Sequence, residues 1–123
     1  MERPLSLPQR IFWHRDLPPA YAELVGEGIV EAASVRVQDT LTERGALWLC
    51  CLTDLKHEAH RRLEQERLRV RADYVHVLSE ATYTRRDPRT GEAWLQGMFG
   101  YVLLCAPRPH QSMAAADHTM AVQ

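Results

Sequence analysis

Residues Asp73–Cys105, DYVHVLSEATYTRRDPRTGEAWLQGMFGYVLLC, decide the fold. The middle of the stretch, Asp87-Pro88-Arg89-Thr90-Gly91, is turn chemistry. Asp-Pro starts a turn, and Gly91 is free to take a positive φ. On either side, apolar residues recur at every second position, the period of a strand. The stretch therefore reads as a hairpin, with one strand over Asp73–Thr84 and the next over Ala93–Cys105. In the first, Val75, Val77, Ala81 and Tyr83 are expected on one face and Tyr74, His76, Leu78 and Glu80 on the other. In the second, Leu95, Phe99, Tyr101 and Leu103 form one face and Trp94, Met98, Val102 and Leu104 the other. Both faces of this strand are apolar, so both must be covered. Gly97 and Gly100 inside it imply a bulge or a close backbone approach.

Upstream, Thr42 is a good helix N-cap, and Glu43 follows in the first turn, where negative charge suits the dipole. From there to about Val70, residues Trp48, Cys51, Leu52, Leu55, Ala59, Leu63 and Val70 fall in one helical stripe. Before it, Gly28–Val37 alternates, with Ala33, Val35 and Val37 on one face, and reads as a strand. The first 27 residues carry Pro4, Pro8, Pro18 and Pro19 and read as an extended arm, pinned by Ile11, Phe12 and Trp13. From Ala106 no pattern remains, and 106–123 is expected to be a disordered tail.

The order is β-α-β-β. The expectation is one α+β domain over 28–105: a small, antiparallel-rich sheet, a long amphipathic helix packed on one face, and an N-terminal arm over 1–27. One helix covers one face of a sheet. The apolar second face then needs the arm or a second copy of the protein. Phe12, Trp13, Trp94, Met98 and Val102 are therefore the candidate interaction surface.

Composition excludes little but bounds much. The 123 residues suit one domain, and 46% hydrophobic with 25% charged is ordinary for a globular chain. The net charge of −1 provides no field for nucleic acid or an anionic membrane. No run of about 18 apolar residues exists to span a bilayer, and Met1–Arg10 lacks the apolar core of a secretory signal. Cys50, Cys51 and Cys105 are an odd set, which fits a reducing, cytoplasmic setting. Of the 15 basic residues only Lys56 is lysine, which fits codon bias in a GC-rich genome or selection for bidentate guanidinium chemistry.

Catalytic patterns fail on mechanism. His14-Arg15-Asp16-Leu17 has the kinase catalytic-loop letters, but Tyr21 stands where the metal-binding Asn belongs. His57-Glu58-Ala59-His60 spaces its histidines by three where a zinc protease needs four. No Ser sits in a nucleophile elbow, and no glycine loop cradles phosphate. A plainer metal site survives, because His57, His60 and Glu64 at i, i+3 and i+7 share one polar side. Arg85, Arg86 and Arg89 at the hairpin tip form a candidate anion contact.

The pattern over Ala46–Leu104, with a helix ending in a short turn and then Arg71-Ala72-Asp73-Tyr74-Val75-His76-Val77, resembles small bacterial domains described as heavy-metal-binding and, more loosely, dodecin-like modules. The resemblance implies self-association and carries over no ligand residue. This chain departs from it at Arg71, where those families have glycine. The expectation is a non-enzymatic protein-interaction or self-assembly module, with itself or another protein as partner and no resident cofactor. The alternative is a small-ligand or metal-binding domain using the polar helix face.

Overall fold

The amphipathic stripe becomes helix α1 (Arg44–Val70) in the computed structural model, which describes residues 8–38 and 44–107. Thr42, expected as the N-cap, and all of the tail from residue 108 on lie outside the described residues. Cys51, Leu55, Ala59 and Leu63 are completely buried. They follow a single i, i+4 ridge, which drifts round the helix by about 40° per step. Leu52 and Val70 were expected on the apolar stripe, but they lie off this ridge and are 40% and 39% exposed. The helix ends in a Schellman motif. Arg71 takes a left-handed φ of 60°, the Arg71 amide donates to Leu68 O at 3.2 Å, and the Ala72 amide donates to Arg67 O at 2.9 Å.

The hairpin forms as read, but it is longer on its first arm. Strand β4 (Tyr74–Asp87) pairs antiparallel with β5 (Glu92–Cys105) from Tyr74↔Leu104 to Asp87↔Glu92. Gly91 closes the turn at φ 78°, with its amide on Asp87 O at 2.8 Å. The faces of β5 are as expected. Those of β4 are not, because a bulge between Val77 and Ser79 inserts one residue against β5. One extra residue moves every later side chain to the opposite face. Glu80 therefore turns to the helix side opposite Phe99, while Ala81 and Tyr83 turn away from it opposite Met98 and Gln96.

The strand expected over Gly28–Val37 starts earlier, as β2 (Glu23–Ala33), and also pairs antiparallel with β5. Its core face is also the other one. Val30, Ala32 and Ser34 are buried, whereas Val35 is exposed. The alternation of Ala33, Val35 and Val37 straddles the strand end, and the pair Val37–Gln38 forms a separate short strand, β3, on the hairpin end of β5. Part of the arm is itself sheet, since β1 (Ile11–Trp13) pairs parallel with Val75–Val77. The result is an α+β fold with one helix and a mixed five-stranded sheet in the order β1-β4-β5-β2, with β3 also on β5. The core lies between α1 and one sheet face, where Leu55, Leu63, Val75, Val77, Phe99 and Leu103 meet. No helix among the described residues is long and apolar enough to cross a membrane.

Candidate functional site

The sheet face turned away from α1 carries exposed apolar residues. The register places Leu24, Ile29, Met98, Val102, Leu104 and Tyr83 on it. Ile29 is 65% exposed, Leu78 in the bulge 55%, and Met98 in the central strand 37%. At its centre the surface dips over Gly100, in a hollow of about 470 Å³ lined by Ile29, Leu78, Ser79 and Val102 among others. A Cβ on Gly100 would lie 2.5 Å from Ser79 Oγ, so the glycine lets β4 and β5 close up at the bulge. Towards the hairpin end the face becomes polar. Arg85 donates to Gln96 Oε1 at 3.3 Å, and the Gln96 amide donates in turn to the Glu31 carboxylate, crossing three strands.

The described part of the arm does not cover this face. Its strand splits the two aromatic residues between opposite sides. Trp13 pairs with Val77, turns to the core side and meets the Phe99 ring edge-on at 5.7 Å. Phe12 pairs with His76 and turns to the open side, but only at the rim. It packs edge-on against Tyr74 at 6.0 Å and is buried. The Tyr21 and Tyr74 hydroxyls meet at 3.3 Å as residues 14–22 lead from one sheet edge to the other. Of the expected interaction residues, then, Phe12 and Trp13 are taken up within their own domain. Trp94 is half-buried under the Arg36 guanidinium, 3.9 Å from its ring centre. Met98 and Val102 stay on the open surface.

The other expected sites come apart. Glu64 is engaged by Arg67, with contacts of 3.0 and 2.5 Å. That hydrogen bonding, partly opposed by burial, holds its carboxyl below the usual range. His57 and His60 are exposed, and among the described residues no group of three or more His, Cys, Asp or Glu could hold a metal ion. The hairpin arginines do not converge. Arg85 and Arg86 are successive strand residues and point to opposite faces. Arg89 sits in the turn with Nε 3.6 Å from Asp87.

Sequence reading missed one cluster altogether. The bulge delivers Glu80 to Lys56, with Nζ to Oε2 at 2.6 Å, and to His14, with Nε2 to Oε1 at 2.9 Å. Lys56 also stands 4.8 Å over the Trp13 ring. Burial pushes the Glu80 carboxyl up, but hydrogen bonds from Lys56 and His14 outweigh it, and the group stays below the ordinary carboxylate range. His14 adopts a φ of 53°, and its carbonyl contacts His76 Nε2 at 2.7 Å. A recess of about 360 Å³ opens beside the cluster, lined by Trp13, His14, Lys56, His57 and His60. The one local signal was that Lys56 is the sole lysine. Asp16, the centre of the kinase-like letters, closes the turn after β1, with its amide on Trp13 O at 3.0 Å.

Comparison with known proteins returns nothing for this arrangement: no family model, no curated protein and no solved structure matches the chain.

Proposed function

We propose that this chain is a protein-interaction or self-assembly module, and that its docking surface is the open sheet face around Met98, Val102, Ile29 and Leu78. One observation carries the reading: an apolar face at the centre of the sheet has nothing packed over it among the described residues. Apolar surface of this kind is stabilised by removal from water, and soluble domains keep such patches small unless something docks there. The pattern-level likeness to small bacterial domains that self-associate points the same way. Three free thiols, Cys50, Cys51 and Cys105, support a reducing setting, which we take to be the bacterial cytoplasm.

Native mass spectrometry of the full chain, compared with the double variant Met98→Glu plus Val102→Glu, tests the proposal. Multimers or a co-purifying protein that disappear in the variant, with the melting transition kept, are expected. A wild-type chain that stays monomeric and alone, or binding that the variant leaves untouched, would sink it. A small-ligand reading has one specific support, the recess of about 360 Å³ between Trp13 and the Lys56–His60 turn of α1. It predicts an added mass of a small organic molecule that is lost in Trp13→Ala and kept in the Met98 and Val102 variant.

A further inference from the structure

Besides the short outer sides of β1 and β3, two longer backbone edges of the sheet have no partner strand among the described residues. One is the outer side of β2, which pairs only with β5. The other is the outer side of β4 beyond Val77, because β1 reaches only Val75–Val77. Antiparallel hydrogen bonding alternates inward and outward along a strand, so a single bond sets the phase. The Ser34 amide donates to Leu95 O at 2.8 Å, which turns Gly28, Val30 and Ala32 towards β5 and leaves the backbone groups of Glu27, Ile29 and Glu31 pointing outward. The same phase carried through β5 leaves those of Glu80, Thr82, Thr84 and Arg86 pointing outward on β4.

The two edges differ in charge. Strand β2 carries Glu23, Glu27 and Glu31 and no lysine or arginine. The open stretch of β4 carries Arg85, which donates to the neutral Gln96 and so keeps its charge, while two acids of the strand are engaged inside the chain, Glu80 by Lys56 and Asp87 by the turn and Arg89. Exposed edges of this length invite another strand, and side chains beside the joint decide which strand is accepted.

We infer that a second copy of this chain continues the sheet, with the acidic β2 edge of one copy against the basic β4 edge of the next. This deepens the self-assembly reading above and rests on it, but it uses the strand edges and not the open face. Pairing of like edges is opposed. An antiparallel β2–β2 joint centred on Ile29 sets Glu27 against Glu31 twice, and a β4–β4 joint gathers four arginines. The unlike joint puts Glu27 and Glu31 on the same sheet face as Arg85 of the neighbouring copy. On the other face it sets Gly28 and Val30 beside Thr82 and Thr84, where β-branched residues suit a strand. Because β5 runs antiparallel to both edges, the joint is parallel. It is also head-to-tail, so each added copy presents one acidic and one basic edge again.

Sedimentation velocity on the full chain over a concentration series tests the joint. Wild type is expected to self-associate, less so as salt rises, since exposed charges are screened. Glu27→Arg plus Glu31→Arg, and separately Arg85→Glu plus Arg86→Glu, should each weaken association about tenfold. Mixing these two variants in equal amounts should restore it, because each then offers the edge that the other lacks. Glu31→Pro removes one outward amide and leaves the ladder to β5 intact, so it should also block growth while keeping the fold. A wild type monomeric throughout, or a mixture no more associated than its components, overturns the joint. An oligomer that survives both charge reversals and is lost in Met98→Glu plus Val102→Glu overturns the edge joint and leaves the open-face reading standing.

Discussion

The two faces of strand β5 both carry large apolar residues, and these end in opposite states. Leu95, Phe99, Tyr101 and Leu103 face α1, and the last three are buried in the core. Trp94, Met98, Val102 and Leu104 face away from it, partly or largely in water. One side chain in two is stabilised by removal from water, while its neighbour is held in place by the same backbone but gains little. Stability in this domain should therefore reside almost wholly on the helix side, and the open side should be free to change without unfolding the chain.

The largest test of that contrast is Leu55→Ala. Leu55 is 0% exposed and packs closely over Gly97. A loss of about 2–5 kcal/mol in chemical denaturation is expected. A loss under about 1 kcal/mol would mean that the helix-side core is not the main source of stability. Gly97→Ala sharpens the point from the other direction. A Cβ there would lie 2.9 Å from the Phe99 ring and 3.3 Å from Leu55, so a cost of about 1–3 kcal/mol is expected from overpacking. A neutral result would show that the ring moves aside freely.

Glu80 tests whether the bulge matters. Burial raises its folded carboxyl, but hydrogen bonds from Lys56 and His14 outweigh this and hold it below the ordinary carboxylate range. A depressed folded value contributes stability that is fully present above the unfolded pKa and is lost as pH falls through the folded one. Wild type should therefore lose more stability than Glu80→Gln on acidification below about pH 4.5, and at neutral pH Glu80→Gln should cost about 1 kcal/mol because the pair is only partly buried. Parallel stability curves for the two proteins would show that the ion pair is idle. Arg71→Gly is smaller and of opposite sign. A non-glycine residue at φ 60° is strained, and relief outweighs the added freedom of the unfolded chain by about 0.5 kcal/mol. No gain in melting temperature would place the helix end in a different conformation. Smallest of all, Met98→Thr on the open face should shift the stability of the isolated domain by less than about 0.5 kcal/mol. A large loss there would erase the contrast between the faces.

Sequence reading found the elements whose signals are local. The turn needs Asp87, Pro88 and Gly91 together, and it forms where they stand. The helix needs an apolar ridge, and Cys51, Leu55, Ala59 and Leu63 supply it. The two-sided character of β5 was also legible and pointed to a face in want of cover. The candidate sites were less legible. The trio His57, His60 and Glu64 shares a helix side, but the nearby Arg67 binds the carboxylate first. The three hairpin arginines are close in sequence, yet strand geometry sends two of them to opposite faces.

Tertiary structure alone decided which face each strand offers and where the arm goes. The bulges at Val77/Ser79 and Leu24/Gly26 exist only relative to β5, so no periodicity within β4 or β2 reveals them. One extra residue sent Glu80 to Lys56 and Tyr83 to the open side. The arm's aromatic pair was expected to work as a unit, but a strand places successive side chains on opposite faces, and pairing with Val75–Val77 set which went where. By itself the sequence determined the order of the four long elements but not the short strands β1 and β3, and it determined the hairpin turn, the buried helical ridge and an apolar excess on β5. Local sterics and hydrophobic period act within a few residues. Register between strands is settled by partners far apart in sequence, as between Glu23 and Cys105.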